Sequence, residues 1–268
     1  MIAFSNLAFP AEEAATLLPR LAAAGLRGVE VAPTRLAPWA DLTPSMLAEH
    51  RAMLEGMGLS VPSLQAILFG AEGVALLGGR DAFDRMLDHL RRVAAAASVL
   101  GAGVAVFGSP RQRSRGELTA EEAFPLGRDR FREAAELCWS EARLVLGLEP
   151  VPATYGGDFL ASWQECLAMV QAVDHPGLRL HLDTGCVKLG GGDIAAAVAA
   201  GAPWLAHFHT AEPQLGDFTA PAMDHAGAAA ALAEAGYAGW ISIEMRQVDG
   251  WADAVPAALR FVRDCYGR

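Results

Sequence analysis

The chain has 268 residues and a formal charge of −10, from 21 Lys and Arg against 31 Asp and Glu. This length can bury one large core without disulfides, and 53% hydrophobic residues with 28 Gly and 15 Pro exclude a disordered or collagen-like chain. The acidic balance disfavours a broad phosphate-binding face, so nucleic acid is not an expected partner.

Short apolar segments with strand character alternate eight times with helical segments, without a long linker. The predicted strands are 1–5, 27–32, 60–66, 103–107, 144–149, 178–183, 204–209 and 239–244. The predicted helices are 11–24, 44–57, 80–98, 120–142, 158–174, 191–200, 221–235 and 251–264. Several strands are too apolar to have one solvated face, which suits a parallel sheet covered by helices. The expected fold is α/β, a single (β/α)8 barrel in one domain spanning 1–268. In the third helix Phe83, Met86, Leu87, Leu90, Val93, Ala94 and Ala97 make one core-facing stripe, with Arg85, Asp88, Arg91 and Arg92 facing water.

Three loop features follow along the chain. After the fourth strand, Phe107–Gly116 is shaped by Gly108 and Pro110, and its Arg111, Arg113 and Arg115 could receive an anionic or hydroxyl-rich ligand. Asp158, after Gly156 and Gly157, is placed to cap the next helix or to support the site from behind. The Gly185–Gly192 segment reads as a loop that matches neither a Walker loop nor a dinucleotide fingerprint.

Cys138, Cys166, Cys186 and Cys265 show neither paired metal-ligand spacing nor a disulfide framework. The N-terminus lacks a signal-like pattern and no alanine-rich run reaches membrane-spanning length, so a cytoplasmic, reducing location without membrane contact is expected.

The chemistry concentrates at the C-terminal ends of strands five to eight. Glu149, Asp183, His209 and Glu244 each end an otherwise apolar run, and a closed barrel brings such ends together on one face. Three carboxylates and an imidazole suit a divalent cation, manganese first, with magnesium, cobalt, zinc or iron as alternatives. Such a cation could polarise a carbonyl while a carboxylate removes the neighbouring C–H proton, with Glu149 and Glu244 the best acid–base pair. His207 and His209 share a strand face; nearness to the rim favours His209 as ligand and His207 as support from a layer below. His181 is placed to orient Asp183, whereas His50, His89, His175 and His225 read as surface or packing residues. Glu30, Gln65 and Glu212 extend the polar ring as candidate substrate-binding groups, and Arg246 could neutralise substrate charge.

At these residues the chain resembles the sugar phosphate isomerase/epimerase family of xylose-isomerase-like TIM barrels, especially its ketose 3-epimerases, over nearly its whole length. The resemblance implies that Glu149, Asp183, His209 and Glu244 are metal ligands and that the two glutamates remove and return a proton on opposite faces of the substrate. Gly185, Glu212-Pro213 and the stretch Ser242-Ile243-Glu244-Met245-Arg246 strengthen it. Characterised ketose epimerases place a substrate-binding histidine three positions after the metal aspartate, where this chain has Cys186. They place an arginine six positions after the metal histidine, where it has Leu215. Cys186 is then expected to line the pocket as a thiol, and Arg111, Arg113 or Arg246 to replace the missing contacts. The implied partner is a small carbohydrate, and homodimers or homotetramers are compatible with the helical exterior. The same chemistry would permit β-elimination from an oxidised 3-keto glycoside. A noncatalytic sugar-binding protein is the reading that follows if the quartet diverges. Apurinic-site endonucleases resemble the same barrels but use a larger zinc ligand set and a basic surface.

Overall fold

The computed structural model describes residues 1–267. Its strands are β1 (Ile2–Ser5), β2 (Gly28–Glu30), β3 (Ser63–Leu64), β4 (Val104–Phe107), β5 (Val145–Leu148), β6 (Leu178–Asp183), β7 (Leu205–Ala211) and β8 (Ile241–Glu244). They form one parallel sheet in the order β2-β1-β8-β7-β6-β5-β4-β3. Single parallel bridges from Gly28 to Ser60 and from Val31 to Leu64 join the two ends, so the sheet closes on itself. The expected single (β/α)8 barrel is what the chain forms.

The α-helices are α1 (Ala14–Ala23), α2 (Pro44–Gly56), α3 (Arg80–Leu100), α4 (Ala120–Ala142), α5 (Trp163–Val173), α6 (Thr184–Leu189), α7 (Ile194–Gly201), α8 (His225–Glu234) and α9 (Trp251–Tyr266). The stripe predicted for α3 is buried in full, and its charged residues are exposed. No helix of the described residues is long and apolar enough to cross a membrane.

Strand alternation divides the core in two. Outward residues such as Val29, Leu180, Leu182, Phe208 and Ile243 are buried against the helices. Their inward neighbours Glu30, His181, Asp183, His207, His209, Ser242 and Glu244 fill the lumen with polar groups. Those at β6 and β7 sit in paired layers, His181 beside His207 and Asp183 beside His209.

Two local expectations are corrected. Asp158 does not cap α5: that helix starts five residues later, at Trp163, under a capping box in which Ser162 and Glu165 each satisfy the other's backbone N–H. Ser162→Ala is expected to cost about 1 kcal/mol and roughly 2–4 °C in Tm by thermal unfolding, with activity unchanged. The Gly185 segment is not all loop, because Thr184–Leu189 forms α6, with Asp183 as its N-cap accepting from the Cys186 N–H at 2.6 Å.

Candidate active site

Glu149, Asp183, His209 and Glu244 converge where β5 to β8 end, each offering a ligand atom within 4.8 Å of the others. His209 Nδ1 lies 3.1 Å from Glu244 Oε2 and 3.9 Å from Asp183 Oδ2. Asp183 and His209 are buried, while the Glu149 and Glu244 side chains keep 12% and 15% of their surface. The site is therefore roofed by two glutamates that can meet a ligand.

Asp183 uses one oxygen to cap α6, and its other oxygen, Oδ2, is buried without a hydrogen-bond partner. Such an orphan is costly unless something fills the space between the four side chains. Burial, reinforced by the Glu244 charge, pushes Asp183 up to about 6. Burial and then the charges of Glu244 and Asp183 drive Glu149 well above the ordinary carboxylate range. For His209, burial favours the neutral ring, but Glu30 on Nε2 and Glu244 on Nδ1 outweigh it and hold the imidazole well above its usual value. Crowded carboxylates, an orphan oxygen and one imidazole form a hard donor set that fits a divalent cation.

Beneath this layer the expected support takes a different form. Glu30, expected to contact substrate, is fully buried and accepts from Ser63 Oγ at 2.6 Å and from the Nε2 atoms of His207 and His209, each at 2.8 Å. Burial alone would raise this carboxyl, yet the His209 charge and both histidine bonds bring it well below its ordinary value. Its bond to Nε2 fixes the His209 ring with Nδ1 facing the quartet. Gln65, another expected substrate contact, is only 2% exposed. With its amide oriented to satisfy the network, it donates to Glu30 Oε1 and Glu244 Oε1 at 2.9 Å each and accepts from Ser5 Oγ. His207 sits a layer down, 3.1 Å from Ser63 Oγ. His181 does not reach Asp183 by a hydrogen bond. Its ring lies 3.7 Å from Glu149 Oε1 and edge-on to His209, with both nitrogens lacking hydrogen bonds.

The remaining candidates separate. Cys186 is buried with Sγ 4.0 Å from Glu149 Oε1, and burial followed by the Asp183 and Glu149 charges raises its thiol well above the usual range, so it stays protonated. Glu212 is not free for substrate, since its oxygens accept from the Ala222 N–H at 2.7 Å and meet His225 Nε2 at 2.6 Å. Arg113 is fully buried and spends its guanidinium on backbone carbonyls. Arg111 and Arg246 are exposed on the loops after β4 and β8. Asp158 is bound to Ser114 Oγ at 2.7 Å and the Arg115 N–H at 3.1 Å, which ties two loops together and leaves it no bond to the quartet.

Sequence reasoning missed His225 and Tyr155. His225 Nδ1 lies 2.9 Å from the Tyr266 hydroxyl and 3.1 Å from Thr210 Oγ1, making a buried chain from Glu212 to α9. The Tyr155 hydroxyl is buried without a hydrogen-bond partner, and burial pushes it up to about 12. Glu212 thirteen residues before His225 was a visible acid–imidazole pair, whereas no local pattern marks Tyr155.

The family model for the xylose isomerase-like TIM barrel matches residues 18–265. The chain belongs to that family. Among curated proteins none matches the sequence. Solved structures similar to it include the D-psicose 3-epimerase of Clostridium cellulolyticum H10 with D-tagatose (16% identity, TM-score 0.81, 99% of each chain). A D-psicose 3-epimerase in the presence of D-fructose gives 16% identity and a TM-score of 0.83, over 100% of this chain and 99% of that one. The 3-keto-D-glucoside 4-epimerase of E. coli gives 18% and 0.80, over 98% and 99%. At these identities the xylose isomerase-like barrel shares its fold with all three.

Proposed function

We propose that the protein is a divalent-metal-dependent isomerase or epimerase of a ketose or related carbohydrate, with manganese the preferred ion. The observation that carries this reading is the convergence of four ligand atoms around the unpartnered Oδ2 of Asp183. The names of the similar barrels, epimerases of ketoses and of a keto-glucoside, support it.

Glu149, Asp183, His209 and Glu244 would hold the ion. A bound divalent cation would polarise the substrate carbonyl and offset the negative charge that develops beside it. Glu149 stands just past β5 and Glu244 ends β8, three strands apart around the barrel, so a substrate carbon held between them would meet a carboxyl on each face. One takes the C–H proton, leaving an enediolate, and the other returns a proton to the opposite face. Return of the proton to the neighbouring carbon would give aldose–ketose isomerisation instead.

The test is a manganese-loaded sample screened against ketoses, keto-glycosides and inositol-like compounds in deuterated water. Deuterium entering a carbon-bound position of an otherwise intact sugar is the expected result, and release of a leaving group would assign β-elimination. Manganese binding with no exchange in any of these compounds would overturn the reading.

Metal affinity should depend on pH in a defined direction. Asp183 has its folded pKa raised to about 6, so the metal-free folded state loses stability as pH rises from the ordinary aspartate value through 6, and an ion relieves that cost. Manganese affinity by calorimetry is expected to fall as pH is lowered, by about tenfold per pH unit for each proton displaced, with the His209 and Glu149 protons adding to that of Asp183. The rise in Tm on adding manganese should likewise be larger at pH 7 than at pH 5.

A further inference from the structure

The loop after β4 holds an arginine with no place in the reaction as described. Arg113 is completely buried, no carboxylate pairs with it among the described residues, and its Nε has no hydrogen-bond partner. Its Nη1 donates to the Glu149 carbonyl at 2.7 Å and more weakly to the Phe107 carbonyl at 3.4 Å, and its Nη2 donates to the Leu160 carbonyl at 3.1 Å. Those carbonyls belong to the end of β4, the residue just past β5, and the loop leading to α5. Burying a cation this way is expensive, so the fork must secure something that an apolar side chain would not.

What it holds has little freedom. Gly108, next to Phe107, lies so close to Glu149 Oε2 that a Cβ there would overlap the carboxylate. Leu160 holds its carbonyl from a left-handed backbone conformation with φ +57°. The Glu149 carboxylate thus stands against the β4 exit, and Arg113 sets the spacing of the two exits.

We propose that Arg113 is a positioning residue for Glu149, clamping the ends of β4 and β5 so that the carboxylate reaches the reacting carbon. The proposal rests on the reading of Glu149 as an acid–base group. A fork that grips three carbonyls cannot be copied by an ammonium, which has no planar pair of donors. The effect should fall on the chemical step more than on substrate capture, because the clamp touches Glu149 and no outward-facing group.

Arg113→Met and Arg113→Lys test it. Methionine fills much of the volume, and replacing a buried charge with an apolar group is often tolerated in folding; lysine serves if the methionine variant does not fold. In manganese-loaded protein, kcat is expected to fall roughly 10- to 100-fold with KM changed less than about threefold. Crystal structures of the metal-free variants should show the Glu149 carboxylate displaced by about 1 Å or more, a readout that needs no activity. A well-folded variant with Glu149 in place and kcat unchanged would overturn the clamp. Displacement of Glu149 in a protein whose wild type exchanges no deuterium would leave the clamp standing and count against the epimerase reading.

Discussion

Glu149→Gln and Glu244→Gln are each expected to slow interconversion of the substrate's epimers by roughly 100- to 10,000-fold, the range over which a positioned acid or base acts. Glutamine keeps the shape of the side chain and loses both the charge and the ability to hold the transferred proton. The two losses should be distinguishable. Each variant keeps one carboxyl, so any residual deuterium uptake should favour the epimer whose proton faces the surviving glutamate. Glu244→Gln should also disturb the metal-free protein more, because Glu244 Oε2 faces His209 Nδ1 at 3.1 Å and Oε1 accepts from Gln65. Mass-spectrometric exchange run from both epimers reads these outcomes, and full turnover in either variant would remove that residue from the acid–base pair.

The second large effect is expected at Glu30, which lies fully buried beneath the quartet. Glu30→Ala leaves the charged His209 without its Nε2 partner and strands His207, Ser63 and Gln65 around a vacated centre. Breaking a buried pair from one side costs about 3–5 kcal/mol, which calorimetry should register as a Tm lower by roughly 10 °C. The gentler Glu30→Gln should fold and still lose roughly 10- to 100-fold in manganese affinity, as when the outer partner of a metal-binding histidine is removed. The acid limb has a definite sign. Glu30 is held well below its ordinary value, so the stability it contributes is present above the unfolded carboxylate pKa and disappears as pH falls through its folded value. Wild-type manganese affinity in Glu30→Gln would show that His209 needs no carboxylate behind it.

The barrel and the quartet were legible because both are written in short-range pattern. Apolar runs separated by helical stripes repeat eight times, and four of the runs end on a carboxylate or imidazole of the quartet. The support beneath them was not legible. Glu30 reaches partners 33, 177 and 179 residues away, and nothing near it in sequence distinguishes a carboxylate turned toward substrate from one turned toward two histidines. Arg113 was misread for a related reason. A loop with Gly, Pro and three arginines has the composition of a solvated ligand-binding turn, yet the Phe107 carbonyl and two distant ones, of Glu149 and Leu160, fold over one of those arginines. The α6 helix was hidden because Asp183 serves twice, as a prospective ligand through Oδ2 and as an N-cap through Oδ1.

The chain from Glu212 through His225 to Tyr266 alters what the last turn of α9 can do. Terminal helical turns ordinarily open and close at almost no free-energy cost. Here fraying at Tyr266 would release the His225 ring, then the carboxylate that holds the Ala222 amide, and with it the connection that begins three residues after His209. Amide protons in the last turn of α9 should therefore exchange with solvent on the timescale of the β7 exit, far more slowly than those of an untethered helix end.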